Sequence, residues 1–346
     1  MLLLAGIGIS ALCFWYSMRE TTWSDLKTGF LHANYLTLPL MLAILFAFYW
    51  LKAMRWTWLL APVRRFRTSE VFPAVMVGFA ANNVLPAHLG EFVRVLYLRR
   101  QNDIPATTIL STVVLERVFD ILAILGLSCI GLAFTDEMPG GFQTGAMLLG
   151  GAAGTVVVLV ILYLIWTEEF IRFAARVAGL VPLVPRRLSD KVLEMLRTGA
   201  AGLLAIRNPM AVLLIAVNSI AQWVLNGLIA YIALRSFGVP VTPATALIVT
   251  GVTAFAVTIP SSPGYFGVIQ AAFTTTMKSQ AIPVEESLVL GASLYYHISM
   301  YIPVTGLGLW YLYRADLSLS SLWKAADNRE QSLEDSAVLS QQGSQD

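Results

Sequence analysis

The sequence predicts an all-α polytopic membrane protein, and three observations lead to this prediction. Of the 346 residues, 57% are hydrophobic and only 13% are charged, whereas a soluble domain has about 25% charged residues. The apolar residues fall in blocks close to the roughly 20 residues that a helix needs to cross a bilayer. These blocks are continuous and lack the alternation of membrane barrel strands. The composition therefore argues against a soluble enzyme.

Eight apolar blocks follow one another along the chain, at 2–18, 36–54, 71–98, 107–134, 143–166, 209–234, 243–276 and 287–313. The first block has no basic segment before it and no small-residue cleavage site after it. We therefore expect a first membrane helix there rather than a removed signal peptide. Blocks 71–98 and 243–276 are interrupted by proline and glycine, so each is expected to contain a broken helix.

The placement of basic residues predicts the topology, because short cytoplasmic loops are rich in Lys and Arg. Segments 55–69 and 99–106 are both basic, and a simple span between them would put them on opposite sides. A re-entrant hairpin at 71–98 removes this conflict. With a second hairpin at 243–276, the sequence predicts about six transmembrane helices, two re-entrant hairpins and both termini in the cytoplasm.

The two interrupted blocks resemble each other and predict an inverted repeat. Segment 85–92 aligns with segment 259–266, which matches proline, glycine and phenylalanine at the same spacing. Chance matching of proline and glycine is the alternative. The residues expected to form the two turns are Pro86, Gly90, Pro260, Pro263 and Gly264. Such repeats of broken helices are common in transporters.

Two segments outside the blocks complete the predicted organisation, in which residues 1–314 form one membrane domain. Segment 168–208 is basic and partly amphipathic, which indicates either an interfacial helix on an anionic leaflet or a solvated loop. Residues 315–346 are polar and rich in Ser and Gln, so we expect a disordered cytoplasmic tail.

Ionisable residues inside the apolar blocks are the first candidate site. Glu116, Arg117 and Asp120 lie within block 107–134, and Glu91 and Arg94 follow the first predicted turn. Because a charge at a helix centre costs roughly 2.5–3.5 kcal/mol, each needs a partner or water. We expect Arg117 to meet Glu91 or Asp120. In one interpretation, these ion pairs only lock the hairpin in place. In the other, the same residues also line the cytoplasmic side of a polar path for a lipid headgroup.

Polar residues near the turns are further candidates. Asn82, Asn83, Ser261 and Ser262 could cap broken helices or, with exposed backbone N–H groups, hold a phosphate. Ser261, Ser262, Gln270 and His297 are expected on the outer half of the path. His88 and His297 are each either a polar contact or a proton relay. We expect Arg55 to anchor the membrane interface together with Trp56 and Trp58.

Motifs for catalysis are absent from the sequence, since it contains no P-loop, nucleophile elbow or metal-spaced His/Cys set. We therefore expect no enzyme, no cofactor and no metal. The net charge of +2 gives no indication of nucleic-acid binding. Cys13 and Cys129 both lie in apolar runs, which argues against a disulfide between them.

Three stretches together resemble the flippase-like family, also described as the lysylphosphatidylglycerol synthase transmembrane domain. They are 82–94, 116–120 and 260–270, and the resemblance covers about residues 36–313. It implies movement of lipids between leaflets, without the soluble synthase domain of some relatives. This sequence departs from the usual family pattern at His88, Tyr265 and Gln270, where Arg, Gly and Glu are common, so the headgroup preference of relatives does not carry over.

The sequence thus predicts a lipid flippase or lipid-binding transporter of the cytoplasmic membrane, with anionic or lipid-linked lipids as partners. One alternative is an integral-membrane transferase acting on a lipid-linked substrate, with Glu91 or His88 as the base. Another is an accessory subunit of a lipid-modifying complex, which would have a lipid-modifying enzyme as its partner.

Overall fold

The described part of the chain is helical throughout. A computed structural model describes residues 2–85, 89–102, 104–134, 208–259, 261–280 and 284–317, together with residues 151 and 155. The helices in these ranges are α1 (Leu2–Met18), α2 (Trp23–His32), α3 (Leu38–Leu60), α4 (Thr68–Val84), α5 (Gly90–Gln101), α6 (Ala106–Ala133), α7 (Pro209–Ser236), α8 (Pro243–Ala256), α9 (Val268–Ser279) and α10 (Glu286–Arg314). Short 3₁₀ turns cover Tyr35–Thr37 and Pro263–Tyr265.

Two of the helices are long and apolar enough to cross a bilayer by themselves. They are the continuous segment Tyr35–Leu60, which ends with α3, and α7 at Pro209–Ser236. Each helix packs one face against its neighbours and leaves another exposed, and α7 contacts α3, α6, α8 and α10. Several polar residues on these helices are buried, including Arg55 on α3 and Gln222 on α7.

The first interrupted block forms two helices that pack against each other. α4 ends at Val84 and α5 begins at Gly90, so the helix breaks where the sequence predicts. The side-chain oxygen of Asn82 accepts a 2.8 Å hydrogen bond from the backbone N–H of Gly90. A Cβ added at Gly90 would overlap the carbonyl oxygen of Gly78. The backbones of α4 and α5 are therefore in contact, and only glycine at position 90 permits this approach.

The second interrupted block is also broken, and α1 packs on its break. The break contains three positive backbone φ angles, 76° at Gly264, 61° at Tyr265 and 87° at Gly267. The backbone N–H of Ser262 donates a 3.0 Å hydrogen bond to the hydroxyl of Ser10 on α1. A Cβ at Gly267 would overlap the carbonyl oxygen of Ser10. Helix α1 is therefore an integral part of the bundle.

Helix α2 is an element that the apolar blocks do not predict. It begins with a capping box, in which the hydroxyl of Thr22 accepts from the N–H of Asp25 and the Asp25 carboxylate accepts from the N–H of Thr22. This exchange satisfies two backbone donors at the helix start. Leu26 and Gly29 are the buried residues of α2, and the helix packs against α10.

Some predictions fall outside the described residues. These are the block 143–166 apart from residues 151 and 155, the segment 168–207 and the tail from residue 318 onward. Pro86, His88 and Pro260 are also outside. The tail was expected to begin at residue 315, but Leu317 is buried and its N–H donates to the carbonyl oxygen of Leu312. Residues 315–317 close the end of α10 through such backbone hydrogen bonds.

Candidate functional site

Seven charged side chains from three helices meet inside the bundle. This charge network consists of Lys52 and Arg55 on α3, Glu91 and Arg94 on α5, and Glu116, Arg117 and Asp120 on α6. It contains four cationic residues and three carboxylates, so at neutral pH the network carries one positive charge in excess. In a low-dielectric interior, such charges require mutual pairing.

Arg55 lies at the centre of the charge network and is fully buried. Its guanidinium contacts Asp120 at 2.7 Å and Glu116 at 3.1 Å, and it also donates a 2.6 Å hydrogen bond to the hydroxyl of Ser219. The expectation of an interface anchor was therefore wrong. Trp56 is also fully buried, and its indole N–H donates to the hydroxyl of Thr112 at 2.9 Å.

Asp120 is the carboxylate with the most varied set of partners. The ammonium group of Lys52 contacts it at 3.2 Å, and the indole N–H of Trp223 donates to it at 3.1 Å. Together with Arg55, these donors come from α3 and α7. Asp120 therefore joins three helices, and its charge is compensated from two sides.

Arg94 and Arg117 connect the first hairpin to α6. The guanidinium of Arg94 contacts Glu91 at 2.8 Å and Glu116 at 3.1 Å, and it lies 4.8 Å from the ring centre of Trp56. Arg117 pairs with Glu91 at 2.5 Å and with Asp120 at 3.6 Å. The pairing expected from the sequence is thus present, and it docks α5 on α6.

A cavity of about 220 Å³ lies beside the charge network. Three network residues face it, namely Lys52, Glu91 and Arg117. Arg55, Arg94, Glu116 and Asp120 are buried behind them and do not line it. The remaining walls are formed by Phe48, Tyr49, Phe79, Asn82, Asn83, Trp223, Asn226, Thr250, Thr253, Ala254, Val257, Tyr265, Ile269, Tyr296, His297, Met300 and Tyr301.

The cavity is bordered by residues from both helix breaks. Asn82 and Asn83 precede the first break, and Tyr265 lies in the second. The side-chain amide of Asn83 donates a 2.8 Å hydrogen bond to Thr305 of α10. Asn82 holds Gly90 as described above, so both asparagines have a structural partner as well as a position on the cavity.

The polar residues of the second break lie differently from what the sequence indicates. Ser261 and Ser262 do not line the cavity, because their backbone packs against α1. The side-chain oxygen of Gln270 accepts from the N–H of Gly267 at 2.7 Å, and its amide nitrogen is 3.3 Å from His297 Nδ1. His297 lines the cavity, and its ring also hydrogen-bonds to the backbone of Gly264. This arrangement holds the turn.

Sequence reasoning missed Lys52, Trp223, Asn226 and Tyr296 as cavity residues. One signal was available on α7, where Asn218, Gln222 and Asn226 recur every four residues and so share one face of the helix. The hydroxyl of Tyr296 donates a 2.9 Å hydrogen bond to Asn226. Polar residues at helical spacing in an apolar helix thus indicated a buried polar surface.

The arrangement can bind a polar group inside an otherwise apolar bundle. Its wall of two cations and one carboxylate favours an anion, and its aromatic walls favour a flat or ring-shaped group. Among the described residues, no group of three His, Cys, Asp or Glu side chains is placed to hold a metal ion.

The fold and the site define a helical membrane protein with a buried charge network beside a polar cavity. The chain belongs to the lysylphosphatidylglycerol synthase TM region family, which matches residues 3–308. It is also similar to the glycosyltransferase AglD of Haloferax volcanii, with 27% identity over 257 residues. That alignment covers 65% of this chain and 40% of the relative. No solved structure matches the chain significantly.

The relative corrects one expectation from the sequence. Since no catalytic motif is present, we expected that the protein is not an enzyme. This expectation was wrong, because a protein named as a glycosyltransferase is similar to much of the chain. The chain spans less than half the length of that relative.

Proposed function

We propose that this chain binds the polar headgroup of a lipid-linked substrate inside the membrane and takes part in a group-transfer reaction on it. The observation that carries the proposal is the cavity bordered by Lys52, Glu91 and Arg117. Ionisable residues inside membrane helices are costly and are usually retained for function. Three of them border the cavity, which supports a binding role in addition to a structural one.

The resemblance to a protein named as a glycosyltransferase supports participation in a group-transfer reaction. The family match supports a membrane domain that works on lipids. The donor and the acceptor of the relative are not transferred to this chain, because the similarity covers only 40% of that protein.

Within the cavity, the charged residues have different roles in this proposal. Lys52 and Arg117 attract the anionic part of the headgroup. Glu91 is the candidate proton acceptor, since its side chain is 20% exposed while Glu116 and Asp120 are almost fully buried. The buried members of the network position these three residues.

The membrane arrangement is part of the proposal. The two broken helices, α4–α5 and α8–α9, form re-entrant hairpins of an inverted repeat, with about six transmembrane helices around them. The protein lies in the cytoplasmic membrane with both termini in the cytoplasm. A lipid-modifying enzyme is its candidate partner.

Movement of a lipid between leaflets is a second candidate function. One observation favours it, namely that the cavity touches both helix breaks through Asn82, Asn83 and Tyr265. In transporters with repeated broken helices, substrates bind between the two breaks near the bilayer midplane.

The experiment compares Glu91→Gln with Glu20→Gln. Glu20 is an exposed carboxylate away from the cavity, so its variant is the control. Proteins purified in mild detergent are examined by mass spectrometry for retained lipids, and proteoliposomes are examined for modified lipid products. Glu91→Gln keeps the shape of the side chain but weakens its pairs with Arg94 and Arg117. When equal amounts of folded protein are compared, we expect Glu91→Gln to lose retained lipid and product, while Glu20→Gln keeps both.

A fluorescent phospholipid in the same proteoliposomes separates the two candidate functions. Transbilayer movement without any modified lipid would favour translocation over transfer. Wild-type lipid retention in Glu91→Gln, Lys52→Gln and Arg117→Gln would contradict headgroup binding in the cavity.

A further inference from the structure

The cavity is lined by polar atoms that have no hydrogen-bond partner among the described residues. Thr253 of α8 lines the cavity with a side chain that is only 6% exposed, and its hydroxyl has no hydrogen-bond partner among the described residues. Burying a hydroxyl without a partner is unfavourable, and such groups usually indicate water or a ligand. The hydroxyl of Thr253 therefore indicates a binding position in the cavity for water or for a polar group of a ligand.

Asn226 offers a second group on the same cavity. Its side-chain oxygen accepts from the hydroxyl of Tyr296 at 2.9 Å, and no described residue accepts a hydrogen bond from its amide nitrogen. The asparagine is therefore oriented by Tyr296 and keeps two N–H donors. Together, Thr253 and Asn226 offer a hydroxyl and an amide to a ligand that carries several hydroxyl groups.

Aromatic side chains cover the other walls. Tyr49, Phe79, Trp223 and Tyr296 all line the cavity, and the rings of Tyr49 and Phe79 meet edge to face at 5.0 Å. A sugar ring has apolar C–H faces that pack on aromatic rings and an equator of hydroxyl groups that hydrogen-bond. A simple phosphate or an amine would use the cations or carboxylate of this cavity but would leave the aromatic walls and the free hydroxyl unused.

A phosphate fits at the charged wall. Lys52 and Arg117 face the cavity together with one carboxylate, Glu91. Arginine and lysine both bind phosphate oxygens, and charge assistance strengthens the hydrogen bonds. The whole charge network also has one more cation than carboxylates, so a bound anion would compensate it.

We propose that the cavity binds a single sugar ring carried on a lipid phosphate, with the ring at Thr253 and Asn226 and the phosphate at Lys52 and Arg117. This inference rests on the proposed function of headgroup binding and names the class of headgroup. The cavity volume of about 220 Å³ is below the roughly 300–1,000 Å³ of pockets for drug-sized ligands. A volume of this size suits one sugar ring.

The test compares three lipids and two threonine variants. The probes are a polyprenyl phosphate mannose, the same polyprenyl phosphate without sugar, and phosphatidylglycerol, each titrated against the purified full chain by native mass spectrometry. Thr253→Val removes the free hydroxyl at nearly constant shape. Thr276→Val is the matched control, because Thr276 is a buried helical threonine that donates its hydroxyl to the carbonyl oxygen of Ala272 and does not line the cavity.

We expect the mannosyl lipid to bind more tightly than the other two lipids. Thr253→Val should weaken it by about threefold to tenfold, as expected for one lost hydrogen bond, and should leave the polyprenyl phosphate unchanged. Thr276→Val should bind all three like the wild type. A thermal melt of each variant confirms folding.

Two results would overturn the inference, and they differ in their meaning for the proposed function. Equal binding of the three lipids, with no effect of Thr253→Val, would remove the sugar site and leave headgroup binding intact. Failure of all three lipids to bind would remove both the sugar site and the proposed function.

Discussion

Arg55 of α3 donates a 2.7 Å hydrogen bond to Asp120 of α6, and neither residue is more than 2% exposed. The pair belongs to the more deeply buried of the two parts of the charge network. Arg55, Arg94, Glu116 and Asp120 form a buried part that joins the helices. Lys52, Glu91 and Arg117 form the part that faces the cavity. Substitutions in the two parts should therefore differ in their effects on stability and on lipid binding.

Replacing Arg55 tests the buried part. Arg55→Ala leaves Asp120 and Glu116 with fewer cations in a low-dielectric site, and breaking a buried pair costs about 3–5 kcal/mol. We expect a large loss of folded protein, measured by fluorescence-detected size-exclusion chromatography and thermal melting. Arg19→Ala is the control, since Arg19 pairs with Glu20 at the surface and should change stability by less than about 0.5 kcal/mol. Similar melting of both variants would contradict the role of Arg55.

A glycine pair tests the packing of the first hairpin. In Gly90→Ala, the new methyl group would overlap Gly78 and Asn82, and overpacking of this kind costs about 1–3 kcal/mol. In Gly126→Ala, the methyl group would meet no atom within 4 Å, and a helical Gly→Ala change stabilises by roughly 0.5–1 kcal/mol. We therefore expect the two melting temperatures to shift in opposite directions. A neutral Gly90→Ala variant would show that α4 and α5 are not in close contact.

His297 tests the second break. His297→Leu keeps an apolar side chain but removes the ring nitrogens that contact Gln270 and the backbone of Gly264. Leaving such buried groups without partners costs about 1–3 kcal/mol. The exposed His32, whose ring hydrogen-bonds to the carbonyl oxygen of Thr28, provides the control variant His32→Leu. If tryptophan-fluorescence melting shows no difference between the variants, His297 does not hold this turn.

Cysteine labelling tests the membrane topology. In a chain without Cys13 and Cys129, single cysteines replace the exposed Arg65 before α4 and Gln101 at the end of α5. A re-entrant hairpin places both on the cytoplasmic side, where a membrane-impermeant maleimide should label them only in inverted vesicles. Pro240→Cys, between α7 and α8, should label from the opposite side. Labelling of positions 65 and 101 from opposite sides would replace the re-entrant model by a simple span.

The features that sequence predicted correctly depend on local chemistry. Proline and glycine interrupt α4–α5 and α8–α9 wherever apolar spacing would otherwise continue a helix. Arg117 was expected to meet Glu91 or Asp120 because so few opposite charges occur nearby in an apolar region. Helix breaks and scarce charges can be identified from a single sequence, since neither depends on distant packing.

The features that sequence missed depend on contacts between distant segments. Arg55 follows Lys52 at the end of an apolar block and precedes two tryptophans, which is also the pattern of an interface anchor. Its partner Asp120 is 65 positions away. Ser261 and Ser262 were assigned to the path because they lie at the break, but their orientation is determined by α1. Only the packing of the helices distinguishes these alternatives.

The contact between α1 and the second break also bears on how the protein is made. Ser10 and Ser262 are 252 positions apart, so the ribosome produces α1 long before the segment that receives it. During most of synthesis, the small-residue face around Gly6 and Ser10 has no partner from the second break. A nascent chain that stops before residue 261 therefore carries a first helix that cannot yet dock on the second break.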